Sequence, residues 1–139
     1  MMRPDPVSSP ENQFFWDALN RNELQIQQCA QCQIFLHPPR PMCPQCYSLK
    51  HKHVSVDGKA VLYCWCLPRH PKIPMFEYPL ITALVDLACG VRLLSNLVEC
   101  DTRNLRPGMD LEICFVQTVG GKTIHQFRPI QANPENTHV

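Results

Sequence analysis

"CAQCQIFLHPPRPMCPQC" runs from Cys29 to Cys46 and sets four cysteines as two Cys-x-x-Cys pairs, ten residues apart. Each pair turns the backbone so that two thiolates face one point. Two such turns supply the four sulfurs of a tetrahedral ion. Cys29, Cys32, Cys43 and Cys46 fill that coordination shell and leave no open position for a substrate, so the site reads as structural zinc. Iron held by four thiolates is the nearest rival. A segment this short has almost no core, and metal binding supplies folding energy of order 10 kcal/mol in small zinc peptides.

Upstream, "SSPENQFFWDALNRNE" reads as a short helix. Ser8 with Glu11 fits a capping box, and Ser9 before Pro10 fits an N-cap with proline at the first helical position. Phe15 and Leu19 are four apart and share a face, while Phe14 and Trp16 widen the apolar surface. So short and aromatic a helix must pack on something, either the chain's own core or a partner protein. "LQIQQC" alternates apolar and polar residues as a strand does and leads into Cys29.

Downstream the pattern is all-β. "HVSVDGKAVLYCWCL" gives two extended runs around Asp57-Gly58. "LITALVDLACGVRLLSNLVEC" gives two more, turning near Cys89-Gly90. "DLEICFVQTV" and "KTIHQFRPI" give a last pair joined at Gly120-Gly121, where both central positions suit positive φ. Short strands between turn signals fit a five-stranded barrel of the OB type. The expected layout is a loose tail and helix over residues 1–23, a zinc ribbon over 24–52, the barrel over 53–131 and a tail over 132–139. The longest break, "PRHPKIPMFEYP" from Pro68 to Pro79, holds four prolines and reads as a loop.

Composition bounds the function. The chain has 139 residues, 45% hydrophobic and 18% charged, which is globular rather than disordered composition. A formal charge of +1 gives no broad field to attract nucleic acid or an anionic membrane. "MMRPDPVSSPENQ" has no apolar core of a secretory signal, and no apolar run is long enough for a bilayer. The expected location is the cytoplasm, where nine cysteines serve as thiols or metal ligands rather than disulfides. Cys64 and Cys66, on one side of a strand, read as small buried hydrophobes before a second metal or cross-strand site. Cys89, Cys100 and Cys114 are read in the same way.

No nucleophile elbow, phosphate-binding glycine loop, zincin helix or dinucleotide fingerprint is present. His37, His51, His53 and His70 read as exposed or hydrogen-bonded histidines. Binding features are better represented: Arg40 in "HPPRP"; Arg69, His70 and Lys72 in the long loop with Phe76 and Tyr78 behind; Arg128 after Phe127. Cations beside aromatics hold phosphates and a purine ring, so an acyl-CoA or a single-stranded nucleic acid suits them. The alternative is a solvated loop whose aromatics cap the barrel.

Taken together, the residues resemble a known family: the acyl-CoA-associated zinc-ribbon/OB-fold proteins, formerly a domain of unknown function. "FFWDALNRNELQIQQCAQC" looks like its opening helix and first knuckle, and "HPPRPMCPQC" like its second. "GKAVLYCWC" resembles its first barrel strand, with Cys64 and Cys66 where small or hydroxyl residues are usual. "NLRPGMDLEICF" resembles its L-x-x-G-M-x-V segment, and "QFRP" its closing strand. The resemblance runs from about Phe14 to Ile130. It implies a non-catalytic accessory subunit that binds a thiolase-like protein, a sterol-carrier-protein-type thiolase or an aldolase, and helps to form its acyl-CoA site. On that reading Arg40, Arg69, Lys72, Phe76, Phe127 and Arg128 lie near the acyl-CoA, and Phe14, Phe15 and Trp16 dock the partner. The rival is a nucleic-acid-binding ribbon and barrel, against which near-neutral charge counts.

Overall fold

A computed structural model describes residues 3–130. The expected tail over 132–139 lies outside the described residues. The chain opens with a strap (residues 3–12) and one helix, α1 (Gln13–Leu19). The strands follow as β1 (Leu24–Cys29), β2 (Phe35–Leu36), β3 (His51–Val56), β4 (Lys59–Cys66), β5 (Ile81–Leu87), β6 (Arg92–Leu97), β7 (Asp110–Gln117) and β8 (Thr123–Pro129). They form two sheets. One is three-stranded, ordered β2-β1-β3, and carries the cysteine turns; the other is a closed barrel ordered β4-β5-β6-β8-β7.

That barrel order, with β6 and β8 parallel at closure, is the OB arrangement expected from the spacing of strands and turns. Alternation explains which residues fill it. β5 buries Ile81, Ala83, Val85 and Leu87, β6 buries Leu93, Ser95 and Leu97, and their neighbours in the strand face outward. Leu62, Leu111 and Phe127 complete the core. β3 pairs with β1 along its whole length, so His53 to Val56 belong to the ribbon sheet and not to the barrel.

α1 begins later than either serine register predicts. Asn12 is its N-cap, and Ser9 instead receives Asn12, its backbone N–H donating to Asn12 Oδ1 at 2.6 Å. Pro10 and Glu11 therefore lie in a turn before the helix. Phe15, Ala18 and Leu19 are buried against the barrel and β1, as the shared face of Phe15 and Leu19 predicts.

Three further expectations change. The strap is not loose: Val119 N–H donates to the Arg3 carbonyl at 3.0 Å, and Asp5 takes both the Thr118 hydroxyl and the Gly120 N–H. In the β7–β8 turn only Gly121 has positive φ, 78°, while Gly120 is small because a Cβ there would strike the Asp5 carboxylate. Cys64 and Cys66 are exposed, not buried. A bulge between Leu62 and Cys64 reverses the alternation of β4, so Tyr63, Cys64 and Cys66 all face outward while Trp65 packs inward.

Candidate functional site

The four cysteines that spacing singles out converge. Cys29 Sγ lies 3.5 Å from Cys46 Sγ, Cys32 Sγ lies 3.6 Å from Cys43 Sγ, and all four sulfurs lie within 4.8 Å of one another. Bonds of about 2.3 Å from a tetrahedral ion to sulfur put neighbouring sulfurs about 3.8 Å apart, whereas a disulfide needs about 2 Å. The donor set fits one closed, four-thiolate divalent ion.

The two knuckles repeat one backbone pattern. Gln33 N–H donates to the Cys29 carbonyl and Tyr47 N–H to the Cys43 carbonyl; Cys29 N–H donates to Ile34 and Cys43 N–H to Ser48. The residue after each pair takes positive φ, 70° at Gln33 and 63° at Tyr47. That turn aims amide hydrogens at sulfur: Cys32 N lies 3.5 Å from Cys29 Sγ. The Cys32 N–H holds the Cys29 thiol well below its usual range, and the Cys46 N–H does the same to Cys43. Cys32 and Cys46 shift the other way, their thiols pushed up by burial and by hydrogen bonds with the partner sulfurs, so two of the four sulfurs are favoured as thiolates. Cys29, Cys43 and Leu36 form a small buried cluster, so the ion and this cluster together replace a core.

The predicted ligand and partner residues fall in different places. Arg40 is exposed and lines a cleft of about 240 Å³ with Phe14, His51 and His53. The Gln27 amide fixes that wall, donating to the Arg40 carbonyl at 2.7 Å and accepting the Arg40 N–H at 2.8 Å. Phe14 stacks on His53 with ring centroids 3.6 Å apart. Phe15 faces the opposite way, 4% exposed in the core. Trp16 stacks on His125 and packs on the same core.

Arg69 and Lys72 are exposed in the loop, with Lys72 Nζ 5.8 Å from the Tyr78 ring. Phe76 is already covered by the Arg3 guanidinium, 4.4 Å from its ring. Phe127 has no exposed surface and is barrel core. Arg128 pairs with Glu112 at 3.0 Å and lies 3.8 Å from Glu99, so an anion there meets two carboxylates. Arg40 and the loop cations share none of the described concavities.

The comparisons agree with this geometry. The family model for the rubredoxin-like zinc ribbon domain of ChsH2 matches residues 16–51, and that for its C-terminal OB-fold domain matches residues 53–116.

The chain belongs to the ChsH2 family.

It is 34% identical over 135 residues to the "Probable enoyl-CoA hydratase alpha subunit" of Thermomonospora curvata, covering 97% of this chain and 42% of that protein. It is 34% identical over 116 residues to the "3-oxo-4,17-pregnadiene-20-carboxyl-CoA hydratase alpha subunit" of Mycobacterium tuberculosis, covering 84% of this chain and 36% of that one. The chain thus spans less than half the length of these two curated relatives. Among solved structures it is similar to a chain of "Ltp2-ChsH2(DUF35) aldolase", with TM-score 0.86 and 34% identity over 90% of this chain and 98% of that one.

Two features of this ChsH2-family chain escape sequence reasoning. The first is the strap, whose Arg3 also donates to Asn96 at 3.2 Å and so reaches β6. Nothing in "MMRPDP" marks that contact. The second is His125, placed by β8 at the end of the barrel under α1. Its Nδ1 lies 2.7 Å from the Ser95 hydroxyl, which also donates to the His125 carbonyl at 3.3 Å. That pairing fits a neutral imidazole with its proton on Nδ1. Burial beneath Phe15 and Trp16, with His37 nearby, holds the His125 pKa down to about 4. Ser95 and His125 face the interior, so they form a structural pair and not a nucleophile open to substrate.

Proposed function

We propose that the chain is a non-catalytic accessory subunit that docks on a thiolase-like partner and helps to form that partner's acyl-CoA site. The likeness to the ChsH2(DUF35) chain of an aldolase, over nearly all of that chain, carries this reading. The hydratase alpha subunits among its relatives support the acyl-CoA chemistry. On this reading the ion is zinc and its role is structural, because four thiolates leave no coordination position for a substrate. Phe14, the outward aromatic of α1, belongs to the docking face. Arg69 and Lys72, exposed in the long loop, are the cations offered to CoA phosphates, while Arg40 stands apart from them on the ribbon. No described helix is long and apolar enough to cross a membrane.

The strap counts against the nucleic-acid reading. OB-folds take oligonucleotides between the loops joining their first two and last two strands. Here Arg3 and Asp5 hold both loops, one through Phe76 and the other through Thr118 and Gly120. Co-expression with a candidate thiolase-like protein tests the proposal. Co-elution and a raised melting temperature of the pair are expected. A chain that co-elutes with no thiolase-like protein, or that turns over acyl-CoA alone, overturns it.

A further inference from the structure

Between Glu23 and Asp57 the chain has no Asp or Glu, yet this stretch carries Arg40, Lys50 and Lys52. All 12 acidic residues, and the remaining 10 of the 13 basic ones, lie elsewhere. The ribbon is therefore a positive body on a chain that is otherwise slightly negative. Ion pairing sharpens the division. Arg21, Arg92, Arg103 and Arg128 each meet a carboxylate within 3.8 Å, whereas Arg40, Lys50 and Lys52 have no ion pair among the described residues.

The same stretch is unusually apolar at its surface. Met42, Tyr47 and Leu49, around the second knuckle, are 49%, 71% and 66% exposed. Tyr47 takes positive φ, 63°, where the knuckle turns, and has no part in the buried cluster of Cys29, Leu36 and Cys43. Aromatic, Met and Arg side chains are enriched at interfaces, and a loop already stapled by a metal has little backbone freedom left to lose on association. The cleft beside them adds Phe14, His51 and His53, with Glu11, in the turn before α1, as the acid on its far wall.

We infer that the ribbon surface from Arg40 to His53 is the docking face for an acidic surface of the partner protein. Tyr47, Leu49 and Met42 are the apolar anchors, and Arg40, Lys50 and Lys52 the charged rim. The inference rests on the accessory-subunit reading and specifies which side of the chain meets the partner. Charge complementarity selects the occupant: a stretch with three unpaired cations and no acid of its own, bordered by Glu11 alone in its cleft, attracts carboxylates and repels a basic partner.

The test has two arms. In the first, the metal-loaded full chain is titrated with a poly-L-glutamate peptide and followed by amide NMR. Shifts clustered at residues 40–53 and reversed by salt are expected. Absent shifts, or shifts centred on loop 68–79, overturn the inference. In the second, the dissociation constant of the complex is measured for Lys50→Glu/Lys52→Glu, Tyr47→Ser and, as a control on an exposed barrel loop, Arg106→Glu. The ribbon variants should weaken the complex about tenfold or more at low salt while keeping their metal, and the control should bind as wild type. Ribbon variants that bind normally, or that weaken only by losing metal, overturn it. If the wild-type chain binds no thiolase-like partner, the functional reading fails, and the peptide titration still decides the docking face.

Discussion

Asp5 accepts the Gly120 backbone N–H at 2.9 Å across 115 positions of sequence, and so pins the strap to the β7–β8 turn. The Thr118 hydroxyl donates to the same carboxylate. The hydroxyl first, and the Gly120 amide second, hold the Asp5 pKa below the usual carboxylate range. A depressed carboxylate contributes stability above its unfolded pKa and loses it as pH falls through the folded value. Asp5→Ala should therefore lower the melting temperature at pH 7 and lower it less below pH 3. Thermal melts of the two proteins at both pH values check this; equal melting temperatures at pH 7 would mean that the strap holds nothing.

His125 makes the opposite kind of pH claim, about a base kept neutral. Its pKa drops from an unfolded value near 6.5 to about 4, chiefly because burial disfavours the cation. The unfolded chain binds the proton first, so stability falls as pH drops from about 6.5 to about 4. The full effect is about 3 kcal/mol, as an upper figure. His125→Phe keeps the ring beside Trp16 and removes the proton site. Its urea-unfolding free energy should depend less on pH over that window, and an unchanged slope would dismiss His125 as its source.

Phe14 and Phe15 are adjacent and should behave oppositely. Phe15→Ala empties a core position and should destabilise the chain by about 3–5 kcal/mol. Phe14 is half-buried, stacked on His53 and packed at the edge of the core, so Phe14→Ala should cost less, about 1–2 kcal/mol, and should also weaken the complex with the partner. Chemical denaturation beside a binding isotherm separates the two. Equal losses of stability would show that α1 has no outward side.

Two turn glycines make a graded comparison. Gly90 has φ 91° and open space around it, so Gly90→Ala should cost about 1 kcal/mol of backbone strain. Gly58 has φ 76°, and a Cβ there would also run into Ile113, whose N–H donates to the Gly58 carbonyl at 3.0 Å. Gly58→Ala should cost more, about 2–4 kcal/mol. A smaller loss at Gly58 than at Gly90 would contradict the close approach of the β3–β4 turn to Ile113 of β7.

Local signals in the sequence carry most of the architecture. Cysteine spacing names the four ligands because ligand geometry is local to each knuckle. Alternation and turn glycines locate the barrel strands because both act within a few residues. What stays hidden depends on contacts distant in sequence. The β4 bulge, which turns Cys64 and Cys66 outward, answers to register with β5. Asp5 finds Thr118, and Ser95 finds His125, only after the barrel closes. Arg128 looks like a free cation until Glu112 and Glu99 are brought beside it. Phe127 and Arg128, read together in the sequence, part in the fold because neighbours in a strand face opposite sides, one into the core and one toward Glu112.

The most direct test of the account is the metal content of the folded chain as isolated, by native mass spectrometry and elemental analysis. One zinc per chain is predicted. Cys43→Ser should lose it, together with hydrogen-exchange protection of β1 and β3. A chain that keeps that protection with no metal bound, or whose zinc survives loss of any of the four cysteines, would contradict the claim that four sulfurs around one ion hold the ribbon in shape.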